Sequence, residues 1–77
     1  MIYPAGTLLM NMGGYIGMII EVKKRPLLQN DYDYTVEWYE RKGDGTIYCT
    51  ISHCGAGITK HYVKRLQNYK YANRIIR

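Results

Sequence analysis

Residues 34–52 read YTVEWYERKGDGTIYCTIS, and this stretch decides the fold. Its first seven residues alternate between large apolar and polar side chains, a period of two that predicts a half-buried β-strand. We expect Tyr34, Val36 and Trp38 to face the core. The outward positions are then Thr35, Glu37 and Tyr39.

The segment that follows predicts a hairpin. Residues 41–45 form a compact turn signal, in which Asp44-Gly45 is a strong short-range indication of a tight connection. Residues 46–52 return as the partner strand. We expect Ile47, Cys49 and Ile51 to lie on its core face.

Working outward, the sequence predicts three further strands. Short strands are expected over residues 7–10 and 15–23, joined by a turn at residues 11–14, and Gly17 indicates a bulge or a sharp bend. Residues 24–33 form a long loop. After a break at residues 53–57, a short helical turn and a last strand over 61–66 are expected, followed by a basic tail over 67–77.

The composition supports one small β-rich domain. The 77 residues are 47% hydrophobic and 22% charged, which excludes a disordered chain, and Ile, Val, Thr, Tyr and Trp make up 27 of them. A core of this size leaves little room for a deep pocket with several prearranged groups, so we expect no enzymatic activity. The domain is expected over 1–66, with 67–77 as its extension.

Charge is unevenly distributed. The net charge is +5, yet residues 45–77 contain six of the eleven Lys and Arg and no acid. An anionic partner should therefore meet the C-terminal half. A solvated basic face that only keeps the protein soluble is the alternative.

Cysteine content and hydropathy favour a soluble, intracellular protein. Two cysteines are too few for a disulfide framework, the N-terminus lacks the features of a signal peptide, and the longest nearly apolar stretch is six residues. We expect a cytoplasmic location and no membrane partner.

Two segments carry a family resemblance. Gly14-Tyr15-Ile16-Gly17-Met18-Ile19-Ile20-Glu21-Val22 and Tyr34-Thr35-Val36-Glu37-Trp38-Tyr39 resemble strands of Src-homology-3-like (SH3-like) barrels of the KOW and Tudor type. The chain is also similar to short uncharacterised proteins of tailed bacteriophages. Over residues 6–66 the resemblance implies an all-β fold, a small five-stranded, partly open SH3-like barrel. It implies binding to nucleic acid or protein, or a role in virion assembly. If a phage encodes the chain, the expected location is the host cell cytoplasm or the virion.

Basic residues interleaved with tyrosines form the leading candidate site. Cations attract phosphate and release counterions, while tyrosine rings stack on bases without demanding a sequence. Such a segment would also dock on an acidic protein surface. The set comprises Lys60, Tyr62, Lys64, Arg65, Tyr69, Lys70, Tyr71, Arg74 and Arg77.

A second candidate is an aromatic surface. The chain has nine tyrosines and no phenylalanine, and Tyr32, Tyr39 and Tyr48 could stack on bases, enclose a methylated cation or line a peptide groove. The alternative is that Tyr39 and Tyr48 pack against each other across the hairpin.

Metal and catalytic sites are not expected. Four residues are of metal-ligand type, but no C-x-x-C pair is present. They are Cys49, His53, Cys54 and His61. The sequence also shows no nucleophile with a neighbouring base and a third group to orient that base. We expect no cofactor. The sequence thus predicts a non-catalytic accessory module contacting nucleic-acid backbone without strong sequence specificity, or else a protein-docking or virion-assembly subunit. Because an unpaired edge strand can pair with the same strand of another copy, a homo-oligomer is a further alternative.

Overall fold

A computed structural model describes residues 2–25 and 32–69. Its elements are β1 (Leu8–Met10), β2 (Ile16–Lys24), β3 (Tyr32–Arg41), β4 (Ile47–Gly55) and α1 (Ala56–Gln67). The strands form one open antiparallel sheet in the order β1-β2-β3-β4. The expected β-rich character and the first four strands are therefore confirmed.

The fifth strand expected over His61–Leu66 is wrong, because those residues belong to α1. Thr59, Val63 and Leu66 recur at intervals of four and three, which puts them on one face of a helix, and all three are buried. Lys64 and Arg65 lie in the last turn, where cations are favoured by the helix dipole. This helical spacing outweighs the weak alternation of the same residues.

The core lies between α1 and one face of the sheet. Its fully buried cluster consists of Leu9, Ile19, Tyr34, Val36 and Val63, each at most 3% exposed. The prediction that Tyr34 and Val36 face inward is confirmed, and Trp38 packs against the same cluster. Thr59 is also buried, and its hydroxyl donates a hydrogen bond to the Gly55 carbonyl at 2.8 Å.

The inward face expected for β4 is wrong. The register pairs Val36 with Ser52 and Tyr34 with Cys54, so Ser52 and Cys54 share the core face. Since directly opposite residues of an antiparallel pair lie on one face, the outward face of β4 carries other side chains. These are Ile47, Cys49 and Ile51, all exposed.

The hairpin turn explains the reversal. The Lys42 amide donates to the Thr46 carbonyl at 2.8 Å, and the Gly45 amide donates to the Lys42 carbonyl at 3.0 Å, which leaves a connection of three residues, 43–45. Gly45 has φ 89°, as a three-residue hairpin loop requires at its last position. A two-residue Asp44-Gly45 connection would pair Trp38 with Ile51. The extra residue shifts the register by one and turns every β4 side chain over.

Gly17 is a point of close approach and not the expected bulge. The irregularity in β2 lies between Ile19 and Glu21. A Cβ atom on Gly17 would be 2.6 Å from Cε3 of Trp38 and 2.8 Å from Cγ1 of Val36. The ring of Trp38 therefore occupies the space that any larger residue at position 17 would need.

We expect Gly17→Ala to lower the free energy of unfolding by about 1–3 kcal/mol, because the methyl group overpacks a rigid aromatic contact. Gly57→Ala is the matched control: nothing lies within 4 Å of a Cβ there, and the residue is helical. This substitution should leave stability unchanged or raise it by up to about 1 kcal/mol. Urea denaturation of both variants checks the prediction, and equal effects at the two positions would contradict it.

Candidate functional site

A groove lies between the C-terminal half of α1 and the β1–β2 turn. It has a volume of ≈ 610 Å³, and its mouth carries cationic, imidazole, amide and phenol groups from α1 and the residues after it. None of the described carboxylates lines it. The lining residues are Met10, Gly14, His61, Lys64, Arg65, Asn68 and Tyr69.

The structure brings three residues of the predicted basic and aromatic set to this groove. Lys64, Arg65 and Tyr69 line it directly, and Tyr69 is 40% exposed. Lys60 is exposed one helical turn before Lys64. His61, which is not a member of the predicted basic and aromatic set, lines the groove beside them. Its spacing of three residues from Lys64 could have indicated a shared helix face.

Arg65 anchors the helix to the sheet. Its Nε donates a hydrogen bond to the Asn11 carbonyl at 3.0 Å, and a terminal nitrogen lies 3.5 Å from the Met12 carbonyl. The turn that it contacts is itself ordered by the Asn11 side chain, whose Oδ1 accepts hydrogen bonds from the amides of Gly13 and Tyr15. Arg65 thus joins α1 to a well-defined turn, while its charge stays at the groove.

Tyr62 lies on the side of α1 that faces the sheet. Its ring meets the ring of Trp38 edge to face, with centroids 5.8 Å apart, and the residue is half-buried. An edge-to-face contact suits the charge distribution of the two rings and buries apolar surface of both. Tyr62 therefore supports the position of α1. Four other members of the predicted set, Lys70, Tyr71, Arg74 and Arg77, lie outside the described residues.

The structure does not bring Tyr32, Tyr39 and Tyr48 together. Tyr32 begins β3 and packs against the core, whereas Tyr39 lies near the other end of that strand. Tyr48 pairs with Glu40, and Tyr39 pairs with Cys49, so the two tyrosines lie on opposite faces of the sheet. The predicted packing between Tyr39 and Tyr48 is therefore wrong. Instead, the Lys42 ammonium lies 4.2 Å from the centroid of the Tyr48 ring.

The sulfur and imidazole groups are also dispersed. Cys49 and Cys54 are both free thiols on opposite faces of β4, a placement that separates them from disulfide geometry. His53 contacts the Thr35 hydroxyl through Nδ1 at 3.2 Å. Among the described residues, no three His, Cys, Asp or Glu side chains form a group that could hold a metal ion.

Sequence reasoning missed an uncovered apolar surface on the sheet. Ile47 and Ile51 are 56% and 60% exposed on the face opposite α1, with Cys49 between them. The outward position of Ile47 and Ile51 follows from the number of residues between Lys42 and Thr46, because a three-residue connection sets this register. The alternation within β4 favours the other face, because it groups the most apolar residues of the strand on the side that the structure leaves exposed.

Comparisons with known proteins found no matching family, no matching curated protein and no matching solved structure. Within the described part of the chain, no helix has the length and apolar character needed to cross a membrane.

Replacing Arg65 by Ala should lower the free energy of unfolding by about 1–3 kcal/mol, since the hydrogen bonds from its guanidinium to the turn carbonyls are lost. Lys64→Ala is the matched control, because Lys64 is exposed and adjacent, and it should change stability by less than about 0.5 kcal/mol. Chemical denaturation measures both. Equal losses would show that Arg65 does not anchor α1.

Tyr39 offers a test of the local electrostatics. Its hydroxyl donates to the Glu37 carboxylate at 2.8 Å, and this bond, with burial and the carboxylate charge, raises the pKa of Tyr39 to about 12. The neutral phenol is thereby favoured in the folded state. Its contribution to stability should be complete below about pH 10, the ordinary tyrosine pKa, and fall as the pH rises through 12.

Glu37→Gln should move the Tyr39 pKa back toward about 10, because the charge that disfavours the phenolate is removed. Titration followed by the ¹³Cζ chemical shift, with Tyr39→Phe to assign the signal, measures this value. A pKa that stays near 12 in the Gln variant would contradict the assigned cause.

Proposed function

We propose that the protein is a non-catalytic binding module that contacts nucleic-acid backbone through the α1 groove, without strong sequence specificity. The observation that carries the proposal is the composition of the groove mouth. Lys64, Arg65 and His61 lie beside an exposed tyrosine, and no described carboxylate lines the same groove. This combination suits a phosphate with an adjacent base.

The charge balance favours an anion despite the direction of the helix. The C-terminal end of a helix carries a partial charge of about −0.5 elementary charge, which alone would repel phosphate. Lys64 and Arg65 bring two full positive charges to the last turn, and Lys60 adds a third one turn earlier. The cations therefore exceed the dipole several-fold, and the local potential is positive.

The path of the chain supports extending the site into the tail. Tyr69 lines the groove, and Lys70 and three further members of the predicted set follow it along the sequence. A basic tail leaving from this position can follow the same strand of phosphates. Lys70, Tyr71, Arg74 and Arg77 remain part of the proposed interface on that ground.

Protein docking, including virion assembly, is the second candidate. The outward face of β4 favours it, because Ile47, Cys49 and Ile51 form an exposed row along the strand. Arg41 and Glu37 of β3 lie opposite the two isoleucines on the same face, so the row has a charged border. Contiguous exposed apolar surface often marks an interaction site. An acidic protein surface is the corresponding alternative partner for the α1 groove.

The SH3-like resemblance stays within the proposal. An antiparallel meander with a tight hairpin between β3 and β4 is compatible with part of such a barrel. The helix at residues 56–67 departs from the five-strand arrangement that the resemblance implies. A bacteriophage origin has only the resemblance in its support.

Fluorescence anisotropy with single-stranded DNA, double-stranded DNA and RNA, each titrated with salt, tests the function. We expect micromolar or tighter binding at physiological salt, with a salt dependence equivalent to about four to six phosphate contacts. The double variant Lys60→Ala/Lys64→Ala should weaken binding to all three and reduce the slope by about two.

The matched control is Lys23→Ala/Lys24→Ala, which removes the same charge from the far end of β2. It should keep most of the affinity. Equal weakening by both double variants would indicate general charge attraction without a site at α1. Absence of binding near 50 mM salt would overturn the proposal in favour of protein docking.

A further inference from the structure

The outer edge of β4 is long and has no neighbouring strand among the described residues. β4 pairs with β3 on one side only and spans nine residues, which leaves a row of backbone amide and carbonyl groups on its other side. The opposite edge of the sheet is different. β1 has three residues and lies against α1, so it offers little backbone for pairing.

β4 also lacks the features that normally protect an edge strand. Its sequence, Ile-Tyr-Cys-Thr-Ile-Ser-His-Cys-Gly, contains no Lys, Arg, Asp, Glu or Pro, and its register with β3 has no irregularity. Natural edge strands are usually short, charged, bulged or covered. A nine-residue uncharged edge is therefore suited to pairing with another strand.

We propose that two copies of the chain associate through their β4 edges, pairing antiparallel about Ile51 to form a continuous eight-stranded sheet. A two-fold axis at Ile51 places Ile51 beside the partner's Ile51 and Thr50 beside the partner's Ser52. On the same basis Cys49 lies beside the partner's His53. The two side chains of each pair lie on one face of the sheet, and none of the three pairs places like charges opposite each other.

Charge favours a second copy along this edge in particular. Each chain carries +5, so two copies repel each other wherever basic surfaces meet. The β4 pair brings no charged side chain opposite a like charge over its nine residues. The nearest basic groups lie toward the ends of the strand: Arg41 of β3 is opposite Ile47, the Lys42 ammonium lies over the Tyr48 ring, and Lys60 is in α1.

A dimer of this kind would strengthen the proposed binding of nucleic acid. This step alone rests on the proposed function. α1 packs chiefly on β1, at the opposite side of the sheet from β4. A β4–β4 dimer therefore carries its two α1 grooves at its two outer ends. One nucleic-acid strand that reaches both would be held by two linked sites, which raises the overall affinity.

Sedimentation equilibrium of the full chain tests the pairing without nucleic acid. An interface of one strand per copy is small, so we expect a monomer–dimer equilibrium with Kd on the order of tens of micromolar. Ile51→Lys should raise Kd at least 10-fold, whereas Ile58→Lys, which places the same charge on an exposed residue of α1, should not change it. A wild-type chain that is monomeric at 1 mM, or equal effects of both variants, would overturn the proposal.

A crosslink tests the register and remains informative if Ile51→Lys fails to fold. In a Cys49→Ser/Cys54→Ser background, Ile51→Cys puts two thiols opposite each other at a Cα separation of about 4.5–5.5 Å, which suits a disulfide. Oxidised glutathione, itself reduced to the thiol, should convert this variant to a covalent dimer. Ile58→Cys in the same background is the control.

Crosslinking of Ile58→Cys as readily as Ile51→Cys, or of neither, would contradict the proposed pairing. Because both tests measure association alone, the proposal can fail while nucleic-acid binding by the α1 groove holds. In the reverse case, nucleic-acid binding fails while the chain still dimerises, and these tests distinguish that outcome as well.

Discussion

The packing of Trp38 connects every large element of this small domain. Its ring fills the space above Gly17 of β2, its Nε1 donates a hydrogen bond to the Ser52 hydroxyl of β4 at 2.7 Å, and its face meets Tyr62 of α1. A half-buried indole with its polar nitrogen satisfied adds apolar contact at little desolvation cost. The packing of α1 on the sheet, and hence the position of the groove, depends on this contact.

The sequence predicted the elements whose signals are local. Alternation identified β3 and its inward residues Tyr34 and Val36, and the Gly13-Gly14 and Asp44-Gly45 pairs identified the two turns. These assignments depend on the steric preferences of a few neighbouring residues. They hold because the tertiary contacts of the sheet agree with them.

The errors arose where the outcome depends on register or on burial by a distant segment. Ile47 and Ile51 face outward because the β3–β4 connection has one more residue than the Asp-Gly signal implies. Residues 61–66 are helical because Thr59, Val63 and Leu66 form one helix face that the sheet covers. Their spacing is present in the sequence, but the distant sheet face that buries them is not. The candidate site changed accordingly. α1 and the residues after it place Lys64 and Tyr69 at one groove, whereas Tyr62 packs against Trp38.

The three-residue connection between β3 and β4 also bears on how such a chain can change over generations. Loss of the single codon for Thr46, with the three-residue connection kept, would place Lys42 opposite Ile47 and would exchange the two faces of β4. Ile47 and Ile51 would then turn toward the helix, and Ser52 would leave its hydrogen bond to Trp38. One in-frame deletion would therefore replace an exposed apolar row with a polar one, which makes the register of the hairpin a heritable determinant of which surface this protein presents.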